Sequence, residues 1–288
     1  MSPRSIFILL VVLASFGCEV ETEEAKLEAP KYSFFVAGHV YGNPNTPQFG
    51  LYPPFKSAID TLNAYPSIAF GFFTGDVVNQ PTKAYWDAAM TDLDRFKIPY
   101  HIAPGNHDLS QEFDKRFGKY NYSFYHENDL FIVLTANQWN IVNDSYDVLN
   151  NALDSIRPNT SNVFVFCHEL LWWSPENQFK EVEMNYRPHY PGRTNFEDTV
   201  MPMIQKVDQD VYWFAGDIGC TDLVSPYMYY KEDNVHLIAS GMGNGKNDNF
   251  VIVEIDENDQ VKLKLIGLHN KLFNELINLD NYQLPKSN

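Results

Sequence analysis

Cysteine is scarce: three in 288 residues, at positions 18, 167 and 220. Two cysteines past the N-terminal stretch make no disulfide framework, so the fold must rest on its apolar core. Cys167 and Cys220 read as buried small side chains. Positive charge is scarce too. Lys and Arg total 21 against 37 Asp and Glu, a formal net charge of −16. Such a surface repels phosphate backbones, and no nucleic-acid partner is expected. A small phosphorylated or otherwise anionic substrate stays open, because a bound metal reverses the local field. Internal repeats and low-complexity tracts are missing. No apolar run beyond the N-terminus is long enough for a membrane helix.

What is there fits a large globular domain. Hydrophobic residues make up 44% and aromatics 15%, enough for a sizeable core at this length. At the N-terminus, Arg4 precedes the apolar run "IFILLVVLASF". The run is short for a bilayer span and suits the apolar part of an export signal. It ends at "SFGC", which resembles a bacterial lipobox. Residues 1–17 are therefore expected to be a signal peptide and Cys18 a lipidated residue, with a plain cleaved secretory signal as the alternative. The acidic stretch 18–31 then serves as a solvated tether. On this reading the protein is exported and held in the cell envelope, touching the membrane only through Cys18.

Residues 32–270 alternate strand and helix patterns. "YSFFVA" and "NVFVFCHEL" read as strands, "IAFGFFTGD" and "YHIAPGNHD" as strands that end in polar turns, "DVYWFAGDIG" as another strand, and "YNYSFYHENDLFIVLTANQ" as two strands joined by a turn at Glu127-Asn128-Asp129. Helical spacing covers Pro53 to about Tyr65, Thr82–Phe96, Tyr146–Ile156 and Phe196–Val207. Residues 172–197 form an irregular aromatic and basic insertion. "VHLIASGMGNG", "FVIVEID" and "QVKLKLIGL" close the domain as strands of a meander, and 271–288 make a C-terminal tail. The pattern predicts an α/β domain with a mixed, layered sheet.

Five strands run directly into Gly, Asp, Asn or His: "VAGHVYG", "FFTGDVVN", "APGNHD", "VFCHE" and "WFAGDIG". Sites in α/β sheets collect where strands end. The pooled donors are His39, Tyr41, Asp76, Asn106, His107, His168 and Asp217. Imidazoles and carboxylates together suit Zn, Mn or Fe better than Ca.

These motifs resemble the calcineurin-like metallophosphoesterases, whose ordered signature is G-D-x-H-G, G-D, G-N-H-[DE], a strand-end His, and G-H-x-H. "TGDVVN", "PGNHD" and "FCHEL" match it. The resemblance covers about Tyr32 to Leu268. It implies a four-layer αββα sandwich of the metallo-dependent phosphatase type. It also implies hydrolysis of phosphomonoesters or phosphodiesters, with water activated by one or two divalent or trivalent transition metals bridged by Asp76. His107 would be the general acid and Asp108 its orienting partner. One metal would take Asp76, Asn106, His168 and Asp217, and the other His39, Tyr41 and Asp76. Arg187, His189 and Arg193 of the insertion are weaker candidates for binding the substrate anion.

The outer motifs depart from the signature. "GHVYG" carries His39 for Asp and Tyr41 for His. "GDIG" carries Asp217 for the first His and Gly219 for the second. Three of the four replacements still offer a donor atom, which favours a re-specified ligand set over decay. Decay would leave a catalytically inactive surface lipoprotein acting as a binding module. A phenolate at Tyr41 would suit ferric iron.

Overall fold

Short apolar runs bounded by glycine and polar turns become strands because alternate side chains can then be buried on opposite faces. The computed structural model describes residues 29–46, 48–187, 194–269 and 274–286. In chain order the elements are β1 (Tyr32–Ala37), α1 (Pro53–Asn63), β2 (Ile68–Phe73), α2 (Lys83–Leu93), β3 (Tyr100–Ile102), α3 (Gln111–Phe117), β4 (Tyr122–His126) and β5 (Asp129–Val133). There follow α4 (Asp144–Asp154), β6 (Asn162–Phe166), a π-helical turn (Phe196–Val200) running into α5 (Met201–Ile204), and β7 (Asp210–Ala215). The last strands are β8 (Tyr227–Glu232), β9 (Val235–Ser240), β10 (Asn249–Ile255) and β11 (Val261–Gly267).

Two mixed sheets result, ordered β11-β10-β1-β2-β3 and β4-β5-β6-β7-β9-β8. They pack face to face through Phe34, Val36, Phe72, Phe131, Phe166 and Phe214. Phe72 and Phe166 stack across this layer with ring centroids 3.6 Å apart. The alternate residues Phe35, Ala37 and Phe73 face outward under α1, α2 and α3. On the other side, α4, α5 and the insertion cover the second sheet through Leu149, Ile204, Trp172 and Trp173. The chain is thus a four-layer αββα sandwich, as the family resemblance implies.

Local chemistry sets the element ends. Pro53 and Pro54 open α1, where their missing N–H costs nothing. Ser110 caps α3 by accepting from the Phe113 N–H at 3.3 Å.

Several expectations need correction. α3 and β8 are not among the predicted elements. The helix predicted over Phe196–Val207 is cut short: Thr199 and Val200 both donate to the Asn195 carbonyl, giving a widened turn, and α5 ends at Ile204. The closing strands are not one meander. β8 and β9 pair in the second sheet, and the chain then crosses to the first for β10 and β11. The segment read as a tail docks on β11: Leu276 donates to the Leu265 carbonyl, and Leu279 is buried.

Residues 1–28, with the predicted signal and Cys18, lie outside the described residues, as do His189 and Arg193. Among the described residues no helix is long and apolar enough to cross a membrane.

Candidate metal centre

The turns after β1, β2, β3, β6 and β7 meet at one edge of the sandwich because glycines let their backbones touch. A Cβ on Gly216 would lie 2.0 Å from the Thr74 carbonyl oxygen and 2.9 Å from the Gly38 Cα. Backbone hydrogen bonds tie the turns together. His39 N–H donates to Gly75 O at 3.1 Å, Tyr41 N–H to Asp76 O at 3.1 Å, and Asp217 N–H to His168 O at 3.0 Å. His39 and Asp76 are held at φ of 54° and 55°, a left-handed conformation that costs a non-glycine residue about 1–2 kcal/mol. Two candidate ligands thus sit in strained turns that the surrounding contacts enforce.

Asp76 lies at the centre, and its two oxygens face different imidazoles. Oδ1 is 3.4 Å from His168 Nε2 and Oδ2 is 3.4 Å from His39 Nε2. These separations are long for a hydrogen bond. They match two ligands sharing one ion, since metal bonds of about 2.0–2.2 Å at a tetrahedral angle place the donors ~3.4 Å apart. The carboxylate therefore has the posture of a bridge.

His168 is fixed by its other nitrogen. Its Nδ1 donates to the Thr74 carbonyl at 2.9 Å, which leaves Nε2 as the nitrogen that can bind a metal. That Nε2 is buried and has no hydrogen-bond partner among the described residues, yet Asp217 Oδ1 lies 3.9 Å away and Asp76 Oδ1 closer still. Donor atoms of Asp76, His168 and Asp217 all lie within 4.8 Å of one another, and all three residues are buried.

The electrostatics ask for a cation. Burial alone would lower the His168 pKa, but the carboxylates of Asp76 and Asp217 outweigh it and raise it to about 10. Burial pushes the Asp217 carboxyl up to about 7, with His168 pulling the other way. Charges buried without enough counter-charge are costly, and a dication among these donors would relieve that cost. The residues present fit a transition metal.

The second set is thinner. His39 is buried and its pKa is lowered to about 4, so its imidazole is a neutral donor. The Tyr41 ring lies 4.3 Å from that of His39 and 5.2 Å from that of His107. Burial and Asp76 push the Tyr41 phenol upward, so the chain by itself disfavours the phenolate expected for ferric iron. Gly219 brings no donor and has φ +81°. Asn106 is exposed, at the surface of the turn beside His107.

His107 is half-buried, and its Nδ1 donates to the Asn79 carbonyl at 2.8 Å. The orienting role expected for Asp108 is therefore played by Asn79. Asp108 instead accepts three backbone N–H groups, from Val77 at 2.8 Å, Val78 at 3.1 Å and Gly105 at 2.9 Å. It clamps the turn after β2 to the turn after β3. Arg187 is exposed and paired with Glu183 at 2.5 Å, its guanidinium 5.1 Å from the Trp173 ring. Trp172 and Trp173 are core residues under the second sheet. Sequence reasoning passed over Thr74 and Asn79, whose contributions are backbone carbonyls with no signature in residue type.

Residues 39–221 match the sequence profile of the calcineurin-like phosphoesterases. Among solved structures, purple acid phosphatase PPD1 from yellow lupin (Lupinus luteus) seeds is similar, with 15% identity and a TM-score of 0.57. The match covers 85% of this chain and 52% of that one, so this chain spans about half the phosphatase's length. That likeness bears on the fold. A Thermotoga maritima protein matches at 11% identity over 82% of this chain and 99% of its own, with a TM-score of 0.37 that carries no argument. No curated protein matches the chain. On the profile match, which covers more than half of the chain and His39, Asp76, His168 and Asp217, the chain belongs to the calcineurin-like phosphoesterase family.

Proposed function

We propose that this chain hydrolyses small phosphate esters with a transition metal held by Asp76, His168 and Asp217. The observation that carries the reading is His168 Nε2, buried, without a hydrogen-bond partner among the described residues, and facing two carboxylates. When bound, the metal supplies charge neutralisation at the phosphoryl oxygens and a more acidic water.

The chain's own residues do the rest. Thr74 fixes the tautomer of His168. Asp76 offers its second oxygen to the His39 side, where His39 and Tyr41 stand ready for a second ion. With Nδ1–H of His107 committed to Asn79, its Nε2 is the nitrogen left to serve the substrate. Protonated there, it donates to the oxygen of the departing alcohol. Arg187 of the insertion, with His189 and Arg193 outside the described residues, is a candidate for holding the anion. Export and anchoring through Cys18 would place this activity in the cell envelope.

The test is chelation followed by reloading with Zn, Mn or Fe, reading hydrolysis of p-nitrophenyl phosphate and its bis ester. Turnover that is lost and then restored supports the reading, and the better substrate assigns mono- or diester preference. No turnover with any metal, in a protein equally stable with and without chelator, would leave a binding module.

A further inference from the structure

Asp217 stands where the family signature has histidine, so the partners of a histidine ligand cannot be assumed for it. The insertion provides others. Residues 183–185 run beside the turn after β7: Glu183 N–H donates to Ser225 Oγ at 3.1 Å, and Ser225 N–H to the Glu183 carbonyl at 2.8 Å. Asn185 then grips the ligand turn from both sides. Its backbone N–H approaches the Asp217 carbonyl at 3.4 Å, and its side-chain Oδ1 accepts the Cys220 N–H at 3.0 Å. Its Nδ2 is buried and has no hydrogen-bond partner among the described residues. A buried N–H donor without a partner, on a side chain that grips the turn carrying the buried Asp217 carboxylate, is a costly arrangement unless the two meet.

We propose that Asn185 is a positioning residue for the metal centre, its Nδ2 closing on the Asp217 carboxylate and fixing which oxygen faces the ion. This rests on the reading of Asp217 as a ligand. It assigns the insertion a role at the centre that its basic residues do not account for. Partners of this kind orient a ligand, and losing one typically costs about 10–100-fold in metal affinity.

The alternative is a staple that only holds the loop through Cys220. Two variants separate the readings. Asn185→Ala removes both side-chain contacts. Asn185→Asp keeps an oxygen for Cys220 and removes the amide donor. Mn2+ and Co2+ dissociation constants, the visible spectrum of the Co2+ protein and the Tm of the metal-free protein are measured for each. In both variants we expect dissociation constants raised about tenfold or more and altered Co2+ absorption, with Asn185→Asp regaining the metal-free Tm. The proposal is overturned if Asn185→Asp binds both ions as the parent does with an unchanged Co2+ spectrum. Asn185→Asp decides the matter by itself should Asn185→Ala fail to fold. A parent chain that binds neither ion would overturn the metallohydrolase reading itself, and this proposal with it.

Discussion

Gly219 occupies the position at which the family signature has its last histidine, and replacing it with His asks whether the altered turn is decayed or rebuilt. In the structure Gly219 has φ +81°, and a Cβ there would lie 2.9 Å from the Gly241 carbonyl carbon, 3.0 Å from its oxygen and 3.2 Å from the Pro226 oxygen. All three are backbone atoms, so no side chain can swing aside. The left-handed conformation costs about 1–2 kcal/mol for any residue but glycine, and overpacking about 1–3 kcal/mol more. Gly219→His should therefore lose ~2–5 kcal/mol. For a domain of this size that is about 4–20 °C in Tm, at roughly 2–4 °C per kcal/mol. Gly219→Ala should lose a similar amount, because the clash begins at Cβ. Urea and thermal unfolding of the metal-free proteins give both values. A Gly219→His protein as stable as the parent, carrying one more metal ion, would refute the reasoning: the turn would then be a vacated ligand position and not a rebuilt one.

Three further outcomes follow from particular contacts. His107→Ala should keep its metal, since His107 is placed as a proton donor; turnover should fall about 10²–10⁴-fold for poor leaving groups and less for p-nitrophenolate, and equal losses would remove that role. Asp108→Ala should lower stability by at least about 3 kcal/mol, because three N–H groups that it accepts lose their partner, and a loss under about 1 kcal/mol in urea unfolding would contradict the clamp. His236 is buried against Tyr212, and burial lowers its pKa to about 4. Below pH ~6.5 the unfolded chain takes up a proton that the native imidazole refuses. Stability tied to His236 should therefore be intact above that pH and fall by up to about 3 kcal/mol as pH drops to about 4. A Tm difference between the parent and His236→Phe that stays constant from about pH 7 to about 4.5 would rule this out.

The sheets were legible because their strands are runs of large apolar residues that end abruptly in glycine. The convergence of the five turns was legible for the same reason. "TGDVVN" and "FCHEL" carry Asp76 and His168, whose donor atoms the fold holds 3.4 Å apart, whereas Asn106 of "PGNHD" is exposed, and the bridge posture of Asp76 follows from its place at the centre. α3 escaped notice because seven residues hold barely two helical turns, too few to show a period. β8 escaped because "YMYYKE" is half polar and lies at a sheet edge, where only one neighbour pairs with it. The family resemblance implied Asp108 as the partner that orients His107. A turn points successive side chains in different directions, and this one sends Asp108 into the backbone while Asn79 supplies the carbonyl that His107 needs. Asn185 had no signal at all, since an asparagine in an irregular loop has no period or motif to mark it.

Everything at this centre turns on whether the buried Asp76, His168 and Asp217 hold a transition metal. The most direct test is the metal content of the natively loaded protein, measured by elemental analysis beside His168→Ala and Asp76→Asn. We expect at least one equivalent of Zn, Mn or Fe per chain, with most of it lost in each variant while the fold is kept. Unchanged metal content in both variants, or a parent chain that is folded, stable and free of metal, would contradict the assignment.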